Sequence, residues 1–236
     1  MLDLLAFGPT GWGDEILAGV GVTLSLAIVT APVALVLGFL LALARRSRSW
    51  PLRAFGNGFT TVFKGLPELL TLFLVYYGGQ ILLQRLLRLV SETGSIEVSA
   101  FGAGVVALGV VAASYASEVF MSALGAIPRG QYEASKALGI GRLVTLWKVI
   151  LPQIMRVALP GLGNVWLVLL KDTALVSVIA LPDLLRRTQI AVGVTKEPFF
   201  FFTVALLIYL FFSLVSVLLL SRAEHRLGRG IAGWSK

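Results

Sequence analysis

Gln131 to Pro152 reads QYEASKALGIGRLVTLWKVILP. It is the polar interruption in a chain that is otherwise mostly apolar. Its first half has a short helical pattern in which Ala134, Ala137 and Leu138 share a face. Gly139-Ile140-Gly141 then predicts a turn, because glycine reaches backbone angles that other residues avoid. A second amphipathic helix follows, with Leu143, Leu146, Trp147 and Ile150 at i, i+3, i+4 and i+7, and with Arg142, Thr145 and Lys148 off that stripe. Pro152 disfavours helical continuation at Leu151, so the stretch reads as a helix-turn-helix finger between two membrane spans. On its residues alone the finger fits an interfacial hairpin lying on lipid headgroups.

The surroundings of the finger set the class. The chain has 236 residues, of which 57% are hydrophobic, grouped in runs long enough to cross a bilayer. Five spans are expected in one domain covering residues 1–236: Ile16 to Ala44 with Pro32 as a candidate kink, Phe55 to Leu83, Val98 to Ile127, Val157 to Leu181, and Phe199 to Ser221. Arg85 to Glu97 and Pro182 to Pro198 read as loops. Gly102, Gly104, Gly161 and Gly163 permit close helix packing. There is no cysteine, so disulfide and thiol chemistry do not arise. One histidine, His225, and no cysteine also leave no His/Cys cluster for zinc.

The net charge of +8 does not point to nucleic acid, because the basic residues sit beside the apolar runs as topology signals do. Arg45, Arg46, Arg48 and Arg53, five Lys/Arg from Arg129 to Arg156, and Arg222, Arg226, Arg229 and Lys236 fall on one side of a five-span chain. The other side holds Arg85, Arg88, Arg186, Arg187 and Lys196. The positive-inside rule therefore predicts a periplasmic N-terminus, a cytoplasmic C-terminus and a cytoplasmic finger. The N-terminus lacks a basic region and carries Asp3, Asp14 and Glu15, so no cleavable signal peptide is expected.

With the finger on that side, its residues resemble the EAA loop of ABC-importer permeases: Glu-Ala-Ala, three residues, Gly, nine residues, then Ile-x-Leu-Pro. Glu133, Ala134, Gly139, Leu151 and Pro152 fall in register, while Ser135 replaces the second alanine and Val149 the isoleucine. The resemblance implies an all-α, MetI-like permease of the bacterial inner membrane. Its finger, about residues 129–152, would dock on a cytoplasmic ATPase through Glu133, Ala134, Ser135, Gly139, Leu143, Leu151 and Pro152. It further implies a homologous second permease as partner, an ATP-binding subunit dimer carrying ATP and Mg, a periplasmic substrate-binding protein, and no cofactor on this chain. The chain has no Gly-x-x-x-x-Gly-Lys-Ser/Thr run, so ATP hydrolysis is assigned to the other subunit and this chain is not an enzyme.

Charges at membrane depth are expensive, and three groups of them are candidate sites. Phe63 to Gly78, FKGLPELLTLFLVYYG, resembles the second-span motif of polar amino acid permeases. Relatives similar to the histidine/lysine/arginine/ornithine permeases carry an acid where Glu68 stands, which would attract a cationic side chain. The structural alternative is a Lys64–Glu68 pair at i, i+4. Asn164 to Ser177, NVWLVLLKDTALVS, resembles the family's Lys-Asp-Thr-Ser-Leu stretch, with Ala174 for the serine. Lys171 there suits an α-carboxylate, and Asp172 or Thr173 an amino group; a self-neutralised packing element is the alternative. Glu118 lies in a Tyr-x-x-Glu-x-x-Arg-Gly pattern where Met121 and Ser122 replace the arginine and glycine. It reads as structural and in need of another partner. Asn164, Tyr77 and Tyr115 complete the candidate pathway.

The resulting expectation is an importer subunit for polar, basic amino acids, or for opines. A membrane scaffold and an intramembrane enzyme are the rival classes, and no nucleophile motif accompanies the acids.

Overall fold

The computed structural model describes residues 2–8, 11–88 and 97–228. Within them the chain forms helices and no strand. After a short 3₁₀ turn at Leu2–Leu5, the long helix α1 runs over Gly13–Arg45, α2 over Trp50–Gly65, and α3 over residues 68–88. Next come α4 over Ala100–Ala126, α5 over Arg129–Ala137, α6 over Arg142–Ile179, α7 over Leu184–Thr195 and α8 over Pro198–Gly228. Five helical stretches are long and apolar enough to span a bilayer: Gly13–Arg45, Glu68–Leu86, Ala100–Ala126, Arg142–Ile179 and Pro198–Arg226.

The α1–α4 pair is the centre of the bundle. Bilayer lipid offers no hydrophobic drive for helices to associate, so small residues that admit close approach decide which faces meet. The inner face of α4 is built from Ala103, Gly104, Ala107, Ala112, Ala113 and Ala116, all buried. Gly38 of α1 lies on this face. A Cβ there would stand 2.7 Å from the Ala116 Cβ and 2.9 Å from the Ala113 carbonyl oxygen. Of the glycines expected to pack closely, Gly104, Gly161 and Gly163 do so, against Val176, Val119 and Leu220; Gly102 has only Ser99 nearby.

Four local expectations change. The expected second span, Phe55 to Leu83, is two helices: Leu66 and Pro67 are extended, with ψ of 138° and 134°. Pro67 lacks an amide hydrogen and pushes Leu66 out of the helical region, which outweighs the apolar run. The apolar span is instead Glu68–Leu86. Arg85 belongs to that helix, which runs to Arg88, and the rest of the expected polar loop to Ile96 lies outside the described residues, as do Arg229 and Lys236. Pro182 to Pro198 is not a loop, since α7 occupies Leu184–Thr195.

The fourth change concerns Pro152. The finger's second helix does not stop before it. Residues Thr145–Ile150 form a widened π-helical turn, and the Leu151 N–H donates to the Leu146 carbonyl, five residues back. A wide turn opens the space that the proline ring needs over the preceding carbonyls. Leu151 therefore keeps helical angles, and the finger continues into the fourth span as one helix, Arg142–Ile179.

Candidate functional site: an acidic cavity and a protruding finger

The finger is a helix end turned back on itself. Gly139 has φ of +70°, the left-handed conformation that glycine adopts without a Cβ penalty. The Ile140 N–H reaches the Ser135 carbonyl at 2.9 Å, closing α5 with the wide loop of a Schellman cap. Ser135 is buried and donates its hydroxyl to the Gln131 carbonyl at 2.8 Å, so it holds the finger together from inside. Thr145, also buried, donates its hydroxyl to the Ile140 carbonyl at 3.5 Å. The amphipathic stripe divides: Ile150 is fully buried and Leu146 half-buried, while Leu143 and Trp147 project outward with 73% and 63% of their surface exposed. Leu138, at 77%, joins them. Glu133, Ala134 and Pro152 are exposed, Leu151 is half-buried, and nothing lies within 4 Å of where a Gly139 side chain would begin. The finger thus presents an exposed apolar tip together with an exposed acid.

The membrane-depth candidates converge only in part. A cavity of about 240 Å³ opens between α4 and α6. Tyr115 from α4, with Asn164 and Asp172 from α6, supplies its polar groups; Val111, Ala112 and Val168 are part of its aliphatic wall. Helix α3, which begins at Glu68, packs against Thr173–Ile179, the turns that follow Asp172. A carboxylate in the cavity wall and a second on a helix packed against the same end of α6 form an arrangement that favours a cationic group between them. Lys171 follows the same helix yet is exposed, about 100° around the axis from Asp172. Thr173 is fully buried and donates to the Leu170 carbonyl at 2.7 Å, so it belongs to the frame. Tyr77 is half exposed in an aromatic group with Phe73 and Tyr76, in the π-helical turn Leu74–Gly78.

Lys64 does not pair with Glu68. Its ammonium donates to Glu118 Oε1 at 3.1 Å, and Arg45 Nη2 meets the same oxygen at 3.2 Å. Arg45 further donates to Asn57 Oδ1 at 3.0 Å and Ser117 Oγ at 3.2 Å. This node answers the missing arginine at Met121: the partner of Glu118 comes from α1 and α2 rather than from the next turn of α4. In the sequence Arg45 reads only as a topology charge, since nothing local marks a contact across 73 residues.

A buried polar group also lies within Pro182 to Pro198, a stretch that reads in sequence as a loop. Asp183 is fully buried and caps α7, its Oδ1 accepting from the Arg186 N–H at 2.9 Å. Burial pushes its carboxyl up to about 6, with the neighbouring backbone N–H groups acting in the opposite direction. Thr23 Oγ1 accepts from the Leu184 N–H at 3.1 Å, and Gly19 lets the backbone at Asp183 and Leu184 come against α1. Arg187 pairs with Glu15. An Asp directly before an apolar helical pattern was the available signal.

This arrangement has relatives. Residues 34–229 match the family model described as binding-protein-dependent transport system inner membrane component. The chain is 43% identical over 231 residues to the nopaline transport system permease protein NocQ of Agrobacterium fabrum, covering 98% of each. It is 38% identical over 221 residues to the histidine/lysine/arginine/ornithine transport system permease protein HisQ of Escherichia coli, covering 94% of this chain and 96% of that one. The arginine ABC transporter permease protein ArtQ of Escherichia coli is also 38% identical, over 89% of this chain and 93% of its own. The crystal structure of an amino acid ABC transporter with histidines superposes with a TM-score of 0.77 at 31% identity, covering 91% of this chain and 95% of that one. The MetNI methionine ABC transporter shares the fold at 19% identity, with a TM-score of 0.72 and coverage of 90% and 96%. With its membrane-spanning helices, its finger and this coverage, the chain belongs to the family of inner membrane components of binding-protein-dependent transport systems.

Proposed function

We propose that this chain is one permease of an importer for basic amino acids, and that Glu68 and Asp172 receive the cationic end of the substrate as it crosses. The carrying observation is a pair of acids on packed elements: Asp172 of α6 lines the cavity holding Tyr115 and Asn164, and α3, which begins at Glu68, packs against the turns that follow Asp172. Two carboxylates so placed repel, and a guanidinium or ammonium between them relieves that repulsion. Neutral side chains gain nothing there. The similarity to the nopaline permease favours opines as a second substrate class.

The charge bias places the finger, the α1–α2 turn and the C-terminus in the cytoplasm and the N-terminus in the periplasm. The exposed tip at Leu138, Leu143 and Trp147, flanked by Glu133, then docks on an ATP-binding subunit, which supplies the ATP and Mg chemistry. Because the finger and the fourth span are one helix, a push on the tip moves Asn164 and Asp172 as a unit. A loaded binding protein would dock at the opposite face, and a homologous permease would complete the pathway. In each transport state the finger makes different contacts, so ATP binding and access are linked equilibria.

The test is Glu68→Gln in the assembled complex. The change keeps size and removes charge. It does not strand Lys64, whose ammonium is held by Glu118. Losing a charge-assisted bond costs on the order of 1–3 kcal/mol, an expected fall of about 5- to 150-fold in uptake of arginine, lysine, histidine or ornithine. Basal ATP hydrolysis and binding-protein affinity should stay as they are. Unchanged uptake of all four substrates by assembled Glu68→Gln complex rejects the assignment.

A further inference from the structure

Helix α2 has its polarity inside out. Gly56 and Thr60 are buried against the bundle, and Asn57 and Lys64 reach Arg45 and Glu118 on α1 and α4. Leu52, Phe55 and Val62 instead face away from the bundle and are exposed. A helix that turns its polar residues inward and its apolar ones outward lines a wet space within an apolar surround. That space is present as an open cleft of about 410 Å³, whose polar wall is Arg45, Asn57, Thr60, Thr61, Lys64 and Glu118.

Two features say what the cleft would hold. The first is charge. It contains two cations and one carboxylate, and both cations contact the same Glu118 oxygen. The remaining polar wall is neutral, so one positive charge is left over. Arg45 is fixed by Asn57 and Ser117 as well as Glu118, whereas among the described residues the ammonium of Lys64 is held by Glu118 alone. Lys64 can therefore turn to a new anion while Glu118 keeps Arg45, and no charge is stranded.

The second feature is position. Glu118 lies three residues after Tyr115 on α4, on the same face and about 4.5 Å further along the axis. The step is toward the finger end. On the other wall, Lys64 and Gly65 line the cleft and Glu68 follows across the Leu66–Pro67 break. The cleft thus adjoins the acidic cavity on its finger side.

We infer that this cleft is a second station of the pathway, a carboxylate-binding site at which Lys64 receives the α-carboxylate of the departing substrate. The inference rests on the transport reading above. An amino acid with a cationic side chain meets acids for its cation in the cavity, then a cation for its carboxylate one helical turn later. Lys64 exchanges one carboxylate for another, so the site is weak by construction, as a release station must be.

The test uses the absence of cysteine from this chain. Thr61→Cys places a thiol in the cleft wall, in the complete complex in proteoliposomes. Modification of this chain is read by mass after exposure, from the finger side, to an anionic or a cationic methanethiosulfonate. Each rate is normalised to the reagent's rate with a free thiol. The expected result is an anionic preference of about tenfold, the size that a charged low-dielectric cleft gives. L-arginine should protect the thiol, and agmatine, which lacks the carboxylate, should not. Lys64→Gln should abolish the preference and the protection, and Lys64→Arg should retain both. Faster reaction with the cationic reagent, equal protection by agmatine, an unreactive thiol, or a preference that survives Lys64→Gln each overturns the site. If the wild-type complex takes up no arginine, the substrate reading fails, while the charge preference still decides for or against the cleft.

Discussion

Asp183→Asn should make the protein more stable at neutral pH while leaving it nearly unchanged in acid. The carboxyl of Asp183 is fully buried, and burial raises it from an ordinary 3.8 to about 6. A folded state that holds the proton more tightly than the unfolded chain is favoured where that proton is bound. The stabilisation from Asp183 is therefore complete below about pH 4, declines as pH rises to about 6, and is gone above it. At 1.36 kcal/mol per pH unit, the interval from 3.8 to about 6 amounts to about 3 kcal/mol. Asparagine caps a helix as well as aspartate and keeps an oxygen for the Arg186 N–H, 2.9 Å away. It never ionises, so that cost disappears. Thermal unfolding of the solubilised complex, followed by tryptophan fluorescence at one scan rate, should show Asp183→Asn melting roughly 5–10 °C above wild type at pH 8. The gap should close toward pH 4.5. Asp183→Ala removes the cap as well, at about 0.5–2 kcal/mol, and should fall between the two at pH 8. An Asp183→Asn gap that is negative at pH 8, or equal at pH 4.5 and pH 8, would refute the reasoning.

Two further outcomes follow from the finger and the charge pattern. Gly139→Asp should leave the chain folded in the membrane, because the position faces open space and Asp tolerates the left-handed backbone at φ +70° better than most residues. It should reduce co-purification of the ATP-binding subunit and uptake together; normal values of both would remove the finger as the docking point. A reporter fused after Lys236 should read cytoplasmic and one inserted within Glu92 to Glu97 periplasmic, and the reverse pattern would overturn the orientation.

Much of this protein was legible before any coordinates. Long charge-free runs dictate membrane helices because an unpaired backbone group in lipid is costly. The residues from Glu133 to Pro152 point to the family through their resemblance to the EAA loop, and the acids at Glu68 and Asp172 stand out because charge at that depth needs a reason. Local chemistry even announced the two devices that were misjudged. Pro67 ended a helix, as a proline can, while Pro152 did not, since the π-helical turn at Thr145–Ile150 absorbed it. No rule of spacing separates those outcomes; they depend on whether the neighbouring turn has room to widen.

Only tertiary structure decided the partners. Lys64 and Glu68 stand at helical spacing, yet the Leu66–Pro67 break turns them apart and sends Lys64 to Glu118, 54 residues away. Arg45 reaches that same carboxylate because Gly38 draws α1 against the alanine face of α4, and Gly56 brings α2 against Arg45. Lys171 and Asp172 are neighbours in sequence, but the helix turns about 100° between them, so one carboxylate joins the cavity and the lysine leaves it. A sequence records which charges must be compensated. Which charge compensates which follows from how closely the helices pack, and that distance is set by small residues far apart along the chain.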